Sequence, residues 1–159
     1  MVKTSLVNIA SIISNALARN QKNILFINRT LEYEAVLDWF EKHSEYHACR
    51  KAPAALYEEK NEGLTKAVID SDSLIKANDE KCIWFLHTFS EKSVLNFDGF
   101  VEIIKNRLYI NRFPDGSQTK YSLERMAMFI AFTTPHNEND WASLNMKYHD
   151  LFDEVYLVE

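Results

Sequence analysis

The sequence predicts an α/β protein: a three-layer αβα arrangement around a mainly parallel, about five-stranded sheet, with a β-hairpin inserted over residues 107–121. Three observations predict it. Short unbroken apolar runs (Ile24 to Ile27, Cys82 to Leu86, Met128 to Phe132 and Val155 to Val158) read as strands covered on both faces. Between these runs stand segments whose apolar residues recur at helical spacing. The chain has 159 residues, 47% of them hydrophobic, which is enough for one buried core and one domain over 1–159.

The elements follow in order. Thr4 or Ser5 caps a first helix in which Leu6, Ile9, Ile13, Ala16 and Leu17 recur, and Asn20 fits its end. The strand at 24–27 comes next, bounded by Asn23 and Asn28. Tyr33, Val36, Leu37 and Phe40 stand at i, i+3, i+4 and i+7, an amphipathic helix. A weaker strand lies around Tyr46 to Arg50. Tyr57 to Gly63 is polar and reads as a loop. Leu64, Ala67, Val68, Ser71 and Ile75 read as a further helix. After the strand at 82–86, Phe97, Phe100, Val101 and Ile104 mark another. Leu108, Ile110 and Phe113 then alternate with polar residues, and Pro114-Asp115-Gly116-Ser117 is a turn: proline presets φ and glycine accepts the left-handed conformation. The strand at 128–132 follows. Trp141, Leu144, Tyr148 and Leu151 describe a last helix before the strand at 155–158.

Composition excludes several functions. There are only 3 glycines, against roughly 7% in average proteins, so a glycine-cradled phosphate site has almost no material to be built from. The net charge of −5, with no block of lysines and arginines, disfavours nucleic acid as the main partner. Cys49 and Cys82 sit in strand-like apolar contexts and read as buried thiols of a reducing compartment. No apolar run approaches the roughly 20 residues of a membrane helix, and Met1 to Lys3 does not open a secretory signal. A cytoplasmic protein without membrane contact is expected.

In the second half, a buried strand, a helix, a hairpin, a buried strand ending Thr133-Thr134-Pro135, a helix and Asp153-Glu154-Val155-Tyr156-Leu157 succeed one another. This succession resembles the core of AAA+ ATPases. The leading helix, the strand Asn23–Ile27 and the helix from Glu32 fit the same pattern. The resemblance implies a phosphate loop after the first strand, an acidic Walker B pair after the strand at 82–86, a sensor after the strand at 128–132 and an arginine before Phe152. The residues present are different. Asn28-Arg29-Thr30-Leu31-Glu32 offers no glycine and no lysine to a triphosphate. His87 and Thr88 replace the acidic pair, Thr134 stands at the sensor position, and Leu151 precedes Phe152. Together these losses remove phosphate binding, metal binding and charge stabilisation, which supply nearly all of phosphoryl-transfer catalysis. The implied protein is a degenerate, P-loop-like domain without a C-terminal lid, without cofactor or metal, and without ATP hydrolysis.

The same residues admit other chemistry. Ligands of parallel sheets bind at the carboxyl ends of the strands. His87, Thr88, Thr134 and His136 cluster there if the strands ending near them are neighbours, and two imidazoles with hydroxyls could serve as acid and base. The plainer reading is a set of polar loop residues that solvate strand ends. His43 and His47 lack the His-Glu-x-x-His order of a zinc protease, and the helix is expected to end near 43. Trp39, Trp141, Tyr148 and Tyr156 flank polar residues and are candidates for an exposed contact patch. Arg107, Arg112 and Lys120 on the hairpin are candidates for a protein or nucleic-acid partner. The expected function is a non-catalytic interaction or regulatory module, of the kind a phage or mobile element carries, binding a protein partner or a second copy of itself. An enzyme rebuilt at the strand ends and a nucleic-acid accessory factor are the alternatives.

Overall fold

The computed structural model describes residues 2–28, 34–43, 45–51, 57–59, 65–67, 71–86, 97–112, 115–133, 146 and 148–159. Six strands make its central sheet: β1 (Val2–Thr4), β2 (Asn23–Asn28), β3 (His47–Lys51), β6 (Cys82–Leu86), β9 (Met128–Thr133) and β10 (Glu154–Val158). They lie in the order β1-β10-β2-β9-β6-β3, and every neighbouring pair is parallel. The α/β class and the mainly parallel sheet are thus as the sequence predicts, with one strand more than expected.

Why the central runs form strands is visible in their burial. Every residue of β6 and of β9 is buried, as are Ile24 to Asn28 of β2. Successive side chains of a strand point to opposite faces, so a run apolar at every position can cover both. Ile24, Phe26, Ile83, Phe85, Ile130 and Phe132 face one side, where α1 (Ile9–Ala18) and α2 (Glu34–His43) deliver Ile9, Ile13, Ala16, Val36, Leu37 and Phe40. Leu25, Ile27, Trp84, Leu86, Phe129 and Ala131 face the other. There α3 (Ser71–Ala77) and α4 (Phe97–Asn106) add Leu74, Ala77, Ile103 and Ile104. These two cores separated by one sheet are the three layers.

Five aromatic rings, four on strands and one on α2, cross the first of these cores as a ladder. Tyr156, Phe26 and Phe132 lie side by side in register on β10, β2 and β9. Their rings are 5.6 and 5.4 Å apart and nearly parallel. Phe85 on β6 continues the row at 6.3 Å from Phe132, and Phe40 of α2 closes it at 6.1 Å. Each such pair adds about 0.5–1.5 kcal/mol beyond its buried area.

The hairpin is present as β7 (Leu108–Arg112) and β8 (Gln118–Ser122), antiparallel and separate from the main sheet. Gly116 takes φ +86°, the conformation that the turn requires. Asp115 Oδ1 accepts from the Ser117 backbone N–H and hydroxyl at 2.8 and 2.6 Å, and these bonds lower its pKa.

Asn20 ends α1 as expected. It sits at φ 58°, its N–H donates to Leu17 O, and the Gln21 N–H reaches back to Ala16 O at 3.0 Å. This is a Schellman cap in which asparagine replaces the usual glycine. Exchange of Asn20 for glycine is expected to change stability by a few tenths of a kcal/mol, whereas Asn20→Val should cost about 1–2 kcal/mol. Thermal denaturation reads this as a loss of roughly 2–8 °C.

Several local expectations need correction. Thr4 belongs to β1, and α1 is entered through a 3-10 turn (Leu6–Asn8) whose Ser5 hydroxyl accepts from the Asn8 amide instead of capping the backbone. The polar segment from Tyr57 contains β4 (Tyr57–Glu59), antiparallel to β5 (Thr65–Ala67). The helix expected from Leu64 starts only at Ser71, because Thr65 to Ala67 are used in that pairing. Of the last expected helix, Tyr148 is helical and residues 149–151 form a turn, while Trp141 and Leu144 lie outside the described residues. No helix among the described residues is long and apolar enough to cross a membrane.

Candidate functional site

The parallel sheet has two edges, and they differ in chemistry. At the carboxyl edge, β2 ends at Asn28, β9 at Thr133 and β6 at Leu86. Ile27 pairs with Thr133, and Leu86 with Ala131, so the three ends lie side by side. Asn28 and Thr133 are buried, at 4% and 3% exposure. They are the polar side chains that β2 and β9 bring to the mouth; β6 brings Phe85 and Leu86. The strands ending near His87 and His136 are therefore neighbours, as the clustering of those residues requires. His87, Thr88, Thr134 and His136 themselves lie outside the described residues, as does Trp141. Among the described residues, no group of three or more His, Cys, Asp or Glu side chains is placed to hold a metal ion.

The amino edge holds the polar cluster that sequence reasoning missed. A cavity of about 580 Å³ opens there, lined by Lys22, Asn23, Ile104, Arg107, Glu124 and Asp153 among others. Arg107 follows α4 at φ 52° and is only 6% exposed. One of its terminal nitrogens donates to Lys22 O at 2.8 Å; the other approaches Ile103 O and Ile104 O at 3.5 and 3.4 Å. Its backbone O accepts from Leu123 N–H at 2.6 Å, which fixes the hairpin's return. Asp153 Oδ2 accepts from the Lys22 and Asn23 N–H groups at 2.9 and 2.8 Å, and Asn23 Nδ2 donates to Ile104 O. Burial pushes the Arg107 pKa down to about 10, with Asp153 acting in the opposite direction. The guanidinium stays charged at neutral pH. Arg107 Nε and Asn23 Oδ1 are buried without a hydrogen-bond partner among the described residues.

This corrects the reading of Arg107 as a partner contact. Its charge is spent on the carbonyls at the end of α4 and before β2, where cations are favoured by the helix dipole. Tyr148 is corrected in the same way: at 3% exposure it packs with Phe152 in the core, not on a contact patch. Tyr156 is half-buried in the aromatic ladder, and its hydroxyl donates to Glu154 Oε2 at 2.9 Å. Burial beside that carboxylate raises the phenol's pKa. Trp39 does reach the surface, at 38% exposure, stacked on His43 with centroids 5.6 Å apart. Lys120 is exposed on β8, opposite Ile110. The backbone of Arg112 pairs with Gln118, but its side chain lies outside the described residues. The helix carrying His43 ends there, and His47 lies on β3, 4.0 Å from Asp79. Cys82 is fully buried at the start of β6.

No family model matches the chain, and no curated protein matches it. Solved structures do match. The crystal structure of NtrX from Brucella abortus aligns over 94% of this chain with a TM-score of 0.51 at 12% identity. The chain covers 36% of the length of that NtrX chain, so what the two share is an α/β fold.

Proposed function

We propose that this domain is a non-catalytic protein-interaction module on a degenerate AAA+-like core, working in the cytoplasm. The observation that carries the reading is the carboxyl edge of β6. Its residues Cys82 to Leu86 are apolar and buried, and the two positions that follow are His87 and Thr88, with no carboxylate among them. Across β9 from it, β2 ends in Asn28, and the sequence that follows, Arg29-Thr30-Leu31-Glu32, has neither glycine nor lysine. A triphosphate with Mg²⁺ needs both backbone amides that wrap it and an acid that holds the metal. The sequence after β2 and β6 carries neither the glycine and lysine nor the acidic pair at the positions where the resemblance would put them. What remains is a sheet with helices on both faces, and among the described residues Trp39 on α2, 38% exposed, is the aromatic anchor offered to a partner.

Thermal denaturation with and without ATP and Mg²⁺ tests the first half. No shift is expected; a ligand at 100 times its dissociation constant would add about 2.7 kcal/mol, and such a gain would overturn the reading. For the second half, Trp39→Ala gives up the packing of the indole on Phe40 and His43 and should cost about 1–2 kcal/mol, leaving the chain folded while weakening retention of the partner. Equal retention by the variant would remove Trp39 from the interface.

A further inference from the structure

The cavity at the amino edge of the sheet gathers polar groups that the fold leaves unmet. Its volume of about 580 Å³ falls in the range of small-molecule sites, roughly 300–1,000 Å³. Ile104 and Arg107, 1% and 6% exposed, form its floor. The Ile104 carbonyl holds two side chains together there. Asn23 Nδ2 donates to it at 3.1 Å, and a terminal nitrogen of Arg107 approaches it at 3.4 Å. On these same two side chains, Asn23 Oδ1 and Arg107 Nε have no partner among the described residues. An acceptor and a donor are thus unmet in one place, and each costs free energy until something pairs with it. The exposed charges of Lys22, Lys105, Glu124 and Asp153 surround this floor. None of the four forms an ion pair with another described residue. Elsewhere opposite charges do close, Lys3 on Glu159 at 3.6 Å and Arg19 on Glu154 at 2.6 Å. Here they stand apart around one opening.

We propose that this cavity binds a free α-amino acid with an acidic side chain, of the size and charge of glutamate. Donors and acceptors are both unmet, and charges of both signs are unpaired. A zwitterion answers all of them, whereas a plain anion or a plain cation answers half. The ligand's carboxylates pair with Lys22, Lys105 and the Arg107 Nε–H. Its ammonium pairs with Glu124, Asn23 Oδ1 and Asp153 Oδ1; the other Asp153 oxygen is already held by the Lys22 and Asn23 N–H groups. Lys105 and Asn106 bring the end of α4 to the cavity, and a helix C-terminus favours that positive group further. The lining sets three cations, Lys22, Lys105 and Arg107, against two anions, Glu124 and Asp153. The surplus of one positive charge selects an amino acid of net charge −1 over neutral and basic ones.

Thermal denaturation and titration calorimetry on the whole chain test this, with L-glutamate as the probe. At about 10 mM, roughly 100 times a dissociation constant on the order of 0.1 mM, glutamate should raise the melting temperature by several degrees. Glutarate, which keeps both carboxylates and lacks the ammonium, should bind at least tenfold more weakly, as should inorganic phosphate and L-lysine. Lys105 and Glu124 are exposed, so Lys105→Gln and Glu124→Gln should leave the unliganded melting temperature nearly unchanged. Each should weaken glutamate at least fivefold. Absence of a shift with glutamate and with aspartate would overturn the proposal. So would glutarate or phosphate binding as tightly as glutamate, which would make the cavity a plain anion site, and so would both variants binding like the parent. The cavity lies at the edge of the sheet opposite the ends of β2 and β6, so none of these results bears on the nucleotide experiment or on the non-catalytic reading it tests.

Discussion

Phe132→Ala is expected to cost about 3–5 kcal/mol, close to the largest loss that one core truncation produces. The side chain is fully buried in the middle of the aromatic row, with Phe26 on one side and Phe85 on the other. Truncation removes its own buried area and both ring contacts. The hole cannot close easily, because Phe26 and Phe85 stand on parallel strands on either side of β9, whose spacing is set by the backbone ladder. Urea unfolding should show a lower midpoint with little change in slope, and the melting temperature should fall by roughly 6–20 °C. Ile75→Ala, at a residue 68% exposed on α3, is the control and should stay within about 0.5 kcal/mol. A Phe132→Ala variant that lost under about 1 kcal/mol would show that the row is loosely packed.

Arg107→Ala sets opposing effects against each other. Removing a guanidinium that is 6% exposed relieves the burial that holds its pKa near 10. The sign follows from that lowered value: the charged form is penalised in the folded state at every pH below about 10, so a neutral replacement gains this term across the physiological range. Against it stand the lost bonds and the void. No carbonyl is stranded, because Lys22 O still accepts from Phe129 N–H and Ile104 O from Asn23 Nδ2. The void therefore decides the outcome, and alanine should cost about 2–3 kcal/mol. Methionine refills most of that volume without the charge and should cost under about 1 kcal/mol, since apolar replacements of buried ions are often neutral. Equal losses for alanine and methionine in chemical denaturation would mean that the hydrogen bonds dominate instead.

The central strands are legible because burial on both faces writes an unbroken apolar run, and β2, β6, β9 and β10 each carry one. β1 is not. Val2-Lys3-Thr4 holds one apolar side chain, and it is a strand only because β10 offers it an edge. The pairing of Tyr57–Glu59 with Thr65–Ala67 is likewise written in no local pattern, and residues 64, 67 and 68 imitate a helix across it. At the mouth of the sheet, the adjacency of β6 and β9 follows from the resemblance, not from any residue. Arg107 reads as a contact residue because a charged side chain on a hairpin is usually solvated. Its position directly after a helix, where the last carbonyls need donors, is the signal that points inward. Tyr148 reads as exposed from its neighbours His149 and Asp150, although Phe152 four residues on marks the same buried face.

The sheet order has a consequence during synthesis. β10 lies between β1 and β2, yet it is made after every other strand of the sheet. Until residues 154–158 emerge from the ribosome, β2 presents a bare backbone edge and Phe26 lacks its neighbour on that side. An unfinished chain is then open to pairing with another nascent strand. Translation that stalls near residue 150 should yield a sticky, incompletely closed product, while the arrival of β10 seals it.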